Sequence, residues 1–267
     1  MNILVTGGNG YIGSRLVPFL AEYGHNVSVW DSDCVGSKSE PDFFDAREVT
    51  VQEVLKSKRY DGVVHLIGTY SKDPVISRDI NFRLTKEVYE ACKQHGVGCF
   101  IFMSTCGVLN EEDKSEYTRQ KRLAEAALIE AGDDSPCKLV ILRLAPVYGL
   151  APHMKFDSIV NGFLRDAVIL GRLDVRGKDE RRPVVDICTV ITEILKVIQT
   201  PGSGKIIKNI ATGNFTKEEI VREIEKCRPG IEIILRENAN KGYTVEPTVT
   251  GRTLAEGIQE VLDAKIL

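Results

Sequence analysis

No stretch of the 267-residue sequence approaches the ~20 consecutive apolar residues of a membrane-spanning helix. Met1 runs straight into Ile3-Leu4-Val5 and a glycine cluster, which leaves no room for the basic region and apolar core of a secretory signal. Neither sign of charge is in excess: 35 Lys and Arg stand against 38 Asp and Glu, a formal charge of −3, so neither nucleic acid nor an anionic membrane is an expected partner. Cysteine pairing is missing too. The seven cysteines are odd in number, with no Cys-x-x-Cys pair and no His at zinc-ligand spacing, which excludes a disulfide scaffold and a zinc module. They read as reduced thiols, and the cytoplasm is the expected location. Internal repeats and low-complexity linkers are absent as well. Small molecules are the expected partners.

What is present is an ordinary globular composition, 43% apolar and 27% charged. The length lies between one and two domains at about 150 residues each. The first half alternates β-branched runs with amphipathic stretches, the pattern of a parallel sheet covered on both faces by helices. Strands are expected at Asn2 to Thr6, Asn26 to Asp31, Asp61 to Ile67, Cys99 to Ser104 and Lys138 to Leu144. Helices are expected after the first strand, with Pro18 kinking or weakening it, and near 50–58, 76–95 and 116–131. Beyond Gly149 the pattern predicts helices near 157–169, 189–200 (Thr189 as N-cap) and 216–227, and strands near 172–175, 205–211 and 231–235. Thr253-Leu254-Ala255-Glu256 forms a capping box that opens a last helix. The expected fold is α/β: a Rossmann-type doubly wound parallel sheet with a small C-terminal substrate lobe. Residues 1–150, with strands returning from about 183–212, form the cofactor domain, and 151–182 with 213–267 form the lobe.

The run "ILVTGGNGYIG" places Gly7, Gly10 and Gly13 where the first strand turns into the first helix. A tight turn, a backbone that must approach a pyrophosphate, and close packing of helix on strand each exclude a Cβ, while the helix N-terminus offers free N–H groups. Asn9, Tyr11 and Ile12 belong to the same loop. Eighteen residues past Gly13, Asp31 ends the second strand, where a carboxylate accepts hydrogen bonds from adenosine ribose hydroxyls. Its charge repels a 2′-phosphate, and Ser32 to Gly36 contains Asp33 but no Arg or Lys, which favours NAD over NADP.

In "SEYTRQKRLAEAAL", Tyr117 and Lys121 stand four apart at the start of a helix and so share a face. A phenol is a poor base near neutrality, and an adjacent ammonium favours the phenolate. The strand from Cys99 ends in Ser104-Thr105, whose hydroxyls reach the same crevice at the carboxyl edge of the sheet.

These segments together resemble the extended short-chain dehydrogenase/reductases, and among them the NAD-dependent epimerase/dehydratase group that acts on nucleotide sugars. "TGGNGYIG" is similar to the family's TGxxGxxG, and Asp45 in "FFDAR", followed by Ala46, to the acidic residue after strand three that contacts adenine. "VVHLIG" is similar to the HLAA/HLAG strand, which brings Leu66, Ile67 and Gly68 to the cofactor, and Asn81 matches the Asn of the following helix. "MSTCGVLN" resembles SSxxVYG, which by position makes Thr105 the catalytic hydroxyl and Ser104 its neighbour. Tyr117 and Lys121 match YxxxK. "LRLAPVYG" resembles LRxxxVYG and puts Pro146 and Val147 near the nicotinamide. "APHMKFDSIVNGF" is similar to SPRMRFDLVVN, which implies a substrate contact by Asn161, and "ERRPVVDI" to WRPFVHV, which implies that Arg182 meets the substrate's diphosphate.

The resemblance implies bound NAD, oxidation of a sugar carbon, C4, to a keto intermediate, and return of the hydride. Tyr117 would take the proton, Lys121 hold the nicotinamide ribose, and Thr105 hydrogen-bond the reacting oxygen. It also implies a homodimer through the helices at 76–95 and 116–131. Two alternatives stay open: an NAD-dependent sugar dehydrogenase or ketoreductase, and a non-catalytic NAD-sensing regulator on the same fold.

The chain also departs from the pattern. Thr105-Cys106-Gly107 stands where dehydratases carry Thr-Asp-Glu, which argues against elimination of water. Only twelve positions separate Thr105 from Tyr117, so the loop covering the sugar is trimmed. Pro146 replaces the usual Asn, and Cys188 and Thr189 stand where the group has paired Asp. Blander readings apply to Cys106 as an apolar filler, to His65 as a packed strand residue, to Asp186 as a strand end, and to Arg119 and Arg122 as solvated neighbours of Lys121. His153 faces either substrate or solvent.

Overall fold

The computed structural model describes residues 1–32, 42–133, 135–238 and 240–266. The chain divides into two compact units, Met1–Arg143 with Ile191–Lys208, and Leu144–Val190 with Asn209–Leu267. Ile191–Lys208 groups with the first unit, while residues 181–186 pair within the second.

The first unit is built on β1 (Asn2–Thr6), α1 (Tyr11–Glu22), β2 (Asn26–Asp31), β3 (Asp42–Asp45), α2 (Val51–Ser57) and β4 (Gly62–His65). There follow α3 (Pro74–Arg78), a π-helical turn (Asp79–Leu84), α4 (Thr85–Gln94), β5 (Cys99–Thr105), a 3-10 turn (Cys106–Leu109), α5 (Glu116–Ala131) and β6 (Lys138–Leu144). With β10 (Lys205–Ile210) these strands make a seven-stranded sheet in the order β10-β6-β5-β4-β1-β2-β3. The pairings of β1 with β2 and β4, of β2 with β3 and of β4 with β5 are parallel.

Alternate strand residues Leu4, Trp30, Val63, Phe100, Phe102, Leu139 and Ile141 join one cluster with Val54, Val88, Tyr89 and Leu128 of the helices. The intervening Ile3, Val5, Val29, Val64, Ile101 and Val140 are equally buried, so both faces are covered and the strands read as continuous apolar runs. Strand order reverses on either side of β1, which makes the carboxyl ends of β1 and β4 the switch point of the sheet. Helix α1 runs on through Pro18, which lies on its exposed side and removes one ladder hydrogen bond without ending the helix.

The second unit holds β7 (Val147–Tyr148), α6 (Ile159–Ile169), β8 (Arg172–Arg176), β9 (Arg181–Asp186), the start of α7 (Ile187–Gln199), β11 (Gly213–Thr216), α8 (Lys217–Cys227), β12 (Glu232–Arg236) and α9 (Leu254–Asp263). Strands β11-β9-β7 form a small sheet and β12 pairs parallel to β8. Its core gathers Tyr148, Val160, Leu164, Leu173, Val175, Val184, Ile220, Ile224 and Ile258. The expected capping box is present: Thr253 accepts from the Glu256 amide while Glu256 accepts from the Thr253 amide.

Thr189 is not an N-cap. Helix α7 starts two residues earlier, because Asp186 at the end of β9 accepts from the Cys188 amide at 2.8 Å and caps the turn itself. None of the described helices is long and apolar enough to cross a membrane.

Candidate active site

The glycine loop follows β1 for steric reasons visible at each position. Gly7 has φ +77°, and a Cβ there would meet the Ile67 amide nitrogen at 3.0 Å, so the ends of β1 and β4 touch at the switch point only through a glycine. A Cβ on Gly13 would sit 2.5 Å from the Gly8 carbonyl oxygen, which binds α1 tightly under the loop. Gly10, the N-cap of α1, has no side chain to occupy the amides of Tyr11, Ile12 and Gly13.

Asp31 Oδ2 accepts from the Asn9 amide at 2.9 Å, which ties the loop to the end of β2. Asp31 pairs in register with Asp45, and the Ala46 amide donates to the Asp31 carbonyl at 2.9 Å. Asp45 is the last residue of β3 itself and is forked by Arg47, at 2.9 Å to Oδ1 from Nε and 2.6 Å to Oδ2 from Nη2. Arg47 is a cation at the end of β3 that the sequence reading missed. Its guanidinium is committed to the carboxylate beside it. Of the segment Ser32 to Gly36, residues 33–36 lie outside the described residues.

Beyond β4 the chain passes Leu66, Ile67 and Gly68. The Leu66 amide donates to the Thr6 carbonyl, and a Cβ on Gly68 would lie 3.3 Å from Asn81 Oδ1 and 3.5 Å from Lys121 Nζ. Asn81, fully buried in the π turn, accepts from the Thr69 amide at 2.9 Å and donates to the Thr69 carbonyl at 2.8 Å and to Ser77 Oγ at 3.1 Å. A buried polar chain continues from it: Thr85 Oγ1 donates to the Asn81 carbonyl, His65 Nε2 lies 3.1 Å from Thr85 Oγ1, and His65 Nδ1 lies 2.7 Å from Thr6 Oγ1. Complete burial, with the Lys121 cation as a lesser cause, lowers the His65 pKa to about 3, so the ring is neutral at physiological pH. His65 is thus the packed strand residue expected of it.

Strand β5 delivers Ser104 and Thr105, and α5 delivers Tyr117 and Lys121, to one strand end. Lys121 is buried; its Nζ donates to the Met103 carbonyl at 2.9 Å and lies 4.6 Å from the Phe102 ring and 5.8 Å from the Tyr117 ring. Burial lowers its pKa to about 7, opposed by Glu125 one turn further along the helix. Glu125 is itself buried and forked by Arg143, with contacts of 2.6 and 3.0 Å. Thr105 Oγ1 accepts from the Gly107 amide at 3.1 Å, which starts the 3-10 turn and fixes the hydroxyl at the strand end. Ser104 Oγ is buried with no hydrogen-bond partner.

The ring of Tyr117 stacks on that of Tyr70, with centroids 4.1 Å apart and planes 28° from parallel. Arg122 is not a solvated neighbour: it donates to the carbonyls of Val108, Gly107, Asn110 and Asp113 and so pins the short covering loop to α5. Cys106 is fully buried, with its Sγ 3.1 Å from the Arg143 carbonyl, the filler role expected of it.

The four residues expected to line the cofactor or hold the substrate beyond β6 lie in the second unit. The Pro146 carbonyl accepts from the Val185 amide, and Val147 pairs with Val185. Asn161, fully buried, accepts from the Gly149 amide at 3.1 Å and donates to the Lys155 carbonyl at 2.9 Å. Arg182 is bound to Glu180 at 2.7 Å, with the Tyr243 ring 5.8 Å from its guanidinium. Glu180 also holds Lys217 at 2.8 Å and accepts from Asn238 at 2.7 Å. No cluster of three His, Cys, Asp or Glu able to hold a metal ion occurs among the described residues.

A sequence model of the NAD dependent epimerase/dehydratase family matches residues 3–211, well over half of the chain. The chain belongs to that family. Membership brings NAD as cofactor, and the first unit fits it: a glycine loop packed too closely on β4 and α1 to admit a Cβ at Gly7 or Gly13, a carboxylate at the end of β2, and an orphaned buried hydroxyl at Ser104. Among relatives, a probable UDP-arabinose 4-epimerase 3 from Arabidopsis thaliana is 25% identical over 98% of this chain and 70% of its own length. A UDP-2-acetamido-2,6-beta-L-arabino-hexul-4-ose reductase from Pseudomonas aeruginosa is 27% identical over 74% of this chain and 50% of its own. The solved UDP-glucose 4-epimerase of Thermotoga maritima superimposes with a TM-score of 0.86 at 23% identity over 98% of both chains, which shows the fold.

Proposed function

We propose that this protein is an NAD-dependent nucleotide-sugar 4-epimerase acting on a UDP-sugar. The observation that supports the reading is Lys121, buried and anchored on the Met103 carbonyl of β5 two residues before Thr105 ends that strand, with the Tyr117 ring 5.8 Å from its Nζ. The curated UDP-arabinose 4-epimerase relative supports the substrate class and the carbon.

Gly7, Gly10 and Gly13 would receive the cofactor's pyrophosphate, Asp31 its adenosine ribose, and Asp45 and Ala46 the adenine side. Ser104, with Leu66, Ile67, Gly68, Pro146 and Val147, would line the rest. When bound, NAD supplies the acceptor, and on the return step the donor, of the sugar's hydride. Tyr117 takes the proton of the sugar hydroxyl as general base and returns it at the end of the cycle. Lys121, whose charged form Glu125 favours against the effect of burial, would stabilise the phenolate and hold the nicotinamide ribose. Thr105 receives the Gly107 amide on its oxygen and keeps its O–H to donate to the reacting oxygen. Asn161 and Arg182 would hold the substrate; for Arg182 that means exchanging Glu180 for the diphosphate.

A homodimer through α3, α4 and α5 belongs to the same proposal, supported by the exposed Ile76 and Leu123 on those segments. So does a cytoplasmic location, supported by six free described cysteines.

The reductase relative favours a second reading, net oxidation or reduction with release of product after one hydride transfer. One experiment separates the two. The purified protein is incubated with UDP-, GDP-, CDP- and dTDP-sugars, with catalytic or stoichiometric NAD, while epimer formation and absorbance at 340 nm are followed. Epimerisation without net NADH is the expected result; stoichiometric NADH selects the second reading, and no turnover of any sugar nucleotide overturns both.

A further inference from the structure

Tyr70 is a large aromatic left 59% exposed, so it adds little to the core, yet its backbone is held on both sides. On one side the amide and carbonyl of Thr69 are both taken by the buried Asn81. On the other, the Ser71 amide donates to Thr69 Oγ1 at 3.1 Å and the Asp73 amide to Ser71 Oγ at 3.2 Å, while Asp73 caps α3 through the Val75 and Ile76 amides. A loop locked in this way presents one ring, and that ring lies on Tyr117. Tyr117 in turn sits in the first turn of α5, with Lys121 Nζ 5.8 Å from its ring. A proton acceptor must be held within about 10–20° of its productive direction, and small misplacements cost up to about 10²-fold in rate.

We propose that Tyr70 is the positioning residue of the base: its stacked ring fixes the plane of Tyr117 at the end of β5 and keeps water off the covered face, so that proton transfer depends on it and substrate capture does not. The π-helical turn is part of the device, because it is Asn81 in that turn that holds Thr69. The inference rests on the reading of Tyr117 as the base.

Two measurements test it, one of which needs no substrate. In cofactor-loaded protein carrying 13C-labelled tyrosine, the Tyr117 ring signal is identified by its loss in Tyr117→Phe. It is expected upfield from the ring current of Tyr70, moving downfield and changing its titration in Tyr70→Ala but not in Tyr70→Phe. In turnover of the sugar nucleotide that the wild type accepts, Tyr70→Ala is expected to lower kcat roughly 10- to 100-fold with KM within about twofold and NAD affinity unchanged. Tyr70→Phe, which keeps the ring, is expected to restore kcat to within about threefold. An unmoved Tyr117 signal in Tyr70→Ala, an unchanged kcat, or a Phe variant as slow as the Ala variant each overturns the proposal. A wild type without activity but with the expected ring-current shift would instead count against the epimerase reading alone.

Discussion

The two units treat their polar residues differently. In the first, the groups assigned to chemistry are held short of full satisfaction: Ser104 Oγ has no partner, and Lys121 is buried until its pKa falls to about 7. In the second, the residues assigned to substrate are already bonded to their own unit, Asn161 to two backbone groups and Arg182 to Glu180. Buried polar groups are nearly always paired, and each unit has an exception at a strand end, Ser104 Oγ on β5 and Asp186 Oδ2 on β9, but only Ser104 adjoins the residues proposed for chemistry. Paired ones mark scaffold, or a contact that must be exchanged before it can bind. On the proposed reading, the cofactor and proton-transfer residues of the first unit are preformed, whereas Asn161 and Arg182 of the second would exchange existing bonds to meet a ligand.

The largest effect that can break this contrast lies at the base. Tyr117→Phe keeps the stack and the helix but removes the proton acceptor. A loss of about 10³-fold in kcat is expected, with the Kd for NAD unchanged. Steady-state rates and cofactor titration check both parts; an active Phe variant would remove the first unit's claim to the chemistry. Next comes the cradle. Gly13→Ala forces a Cβ against the Gly7 and Gly8 carbonyls, for which overpacking costs of about 1–3 kcal/mol are expected in urea unfolding, together with a weaker Kd for NAD.

Arg182 tests the second unit. In Arg182→Ala, Glu180 still holds Lys217 and Asn238, so stability should change by less than about 1 kcal/mol. If the diphosphate takes Arg182 from Glu180, KM for the sugar nucleotide rises about tenfold with kcat intact. An unchanged KM assigns Arg182 to the scaffold and makes the contrast between the units sharper still.

The same contrast explains what could be read in the sequence. The cofactor half was legible because many of its signals are local: β1, β2 and β6 fall where apolar runs placed them, α5 spans the expected 116–131, and Gly13 is dictated by the carbonyls of Gly7 and Gly8 a few residues before it. Strand β3 was missed by periodicity because it is only four residues long, with Asp at both ends, and is defined by its parallel pairing with β2. The sheet β11-β9-β7 was missed for similar reasons: β7 has two residues, β9 contains Pro183 and β11 begins with Gly213, so only pairing partners far apart in sequence define it. In the site, the Tyr-x-x-x-Lys spacing was visible. The role of Arg122 was not, because its four acceptors are backbone carbonyls that leave no mark on residue types. Tyr70 gave no signal either: an aromatic in a polar loop acquires meaning only when the ring it covers is known.

The smallest effect concerns the chain that joins Thr6 to Asn81 through His65. Native His65 has its pKa lowered to about 3, against about 6.5 when unfolded. Below pH 6.5 the unfolded chain therefore binds a proton that the native protein excludes, and stability is lost as pH falls from 6.5 toward 3, with a slope approaching about 1.4 kcal/mol per pH unit. Lys121 adds nothing in this range, since it is protonated in both states below about 7. His25, also lowered by burial, acts in the same direction, whereas the raised Asp186 acts oppositely. The difference between wild type and His65→Gln isolates the one ring. In urea titrations between pH 4.5 and 7 the wild-type midpoint is expected to fall more steeply with acid than that of the variant. Parallel curves would mean that His65 takes up its proton in the folded protein and that the polar chain beneath Tyr70's loop opens to admit it.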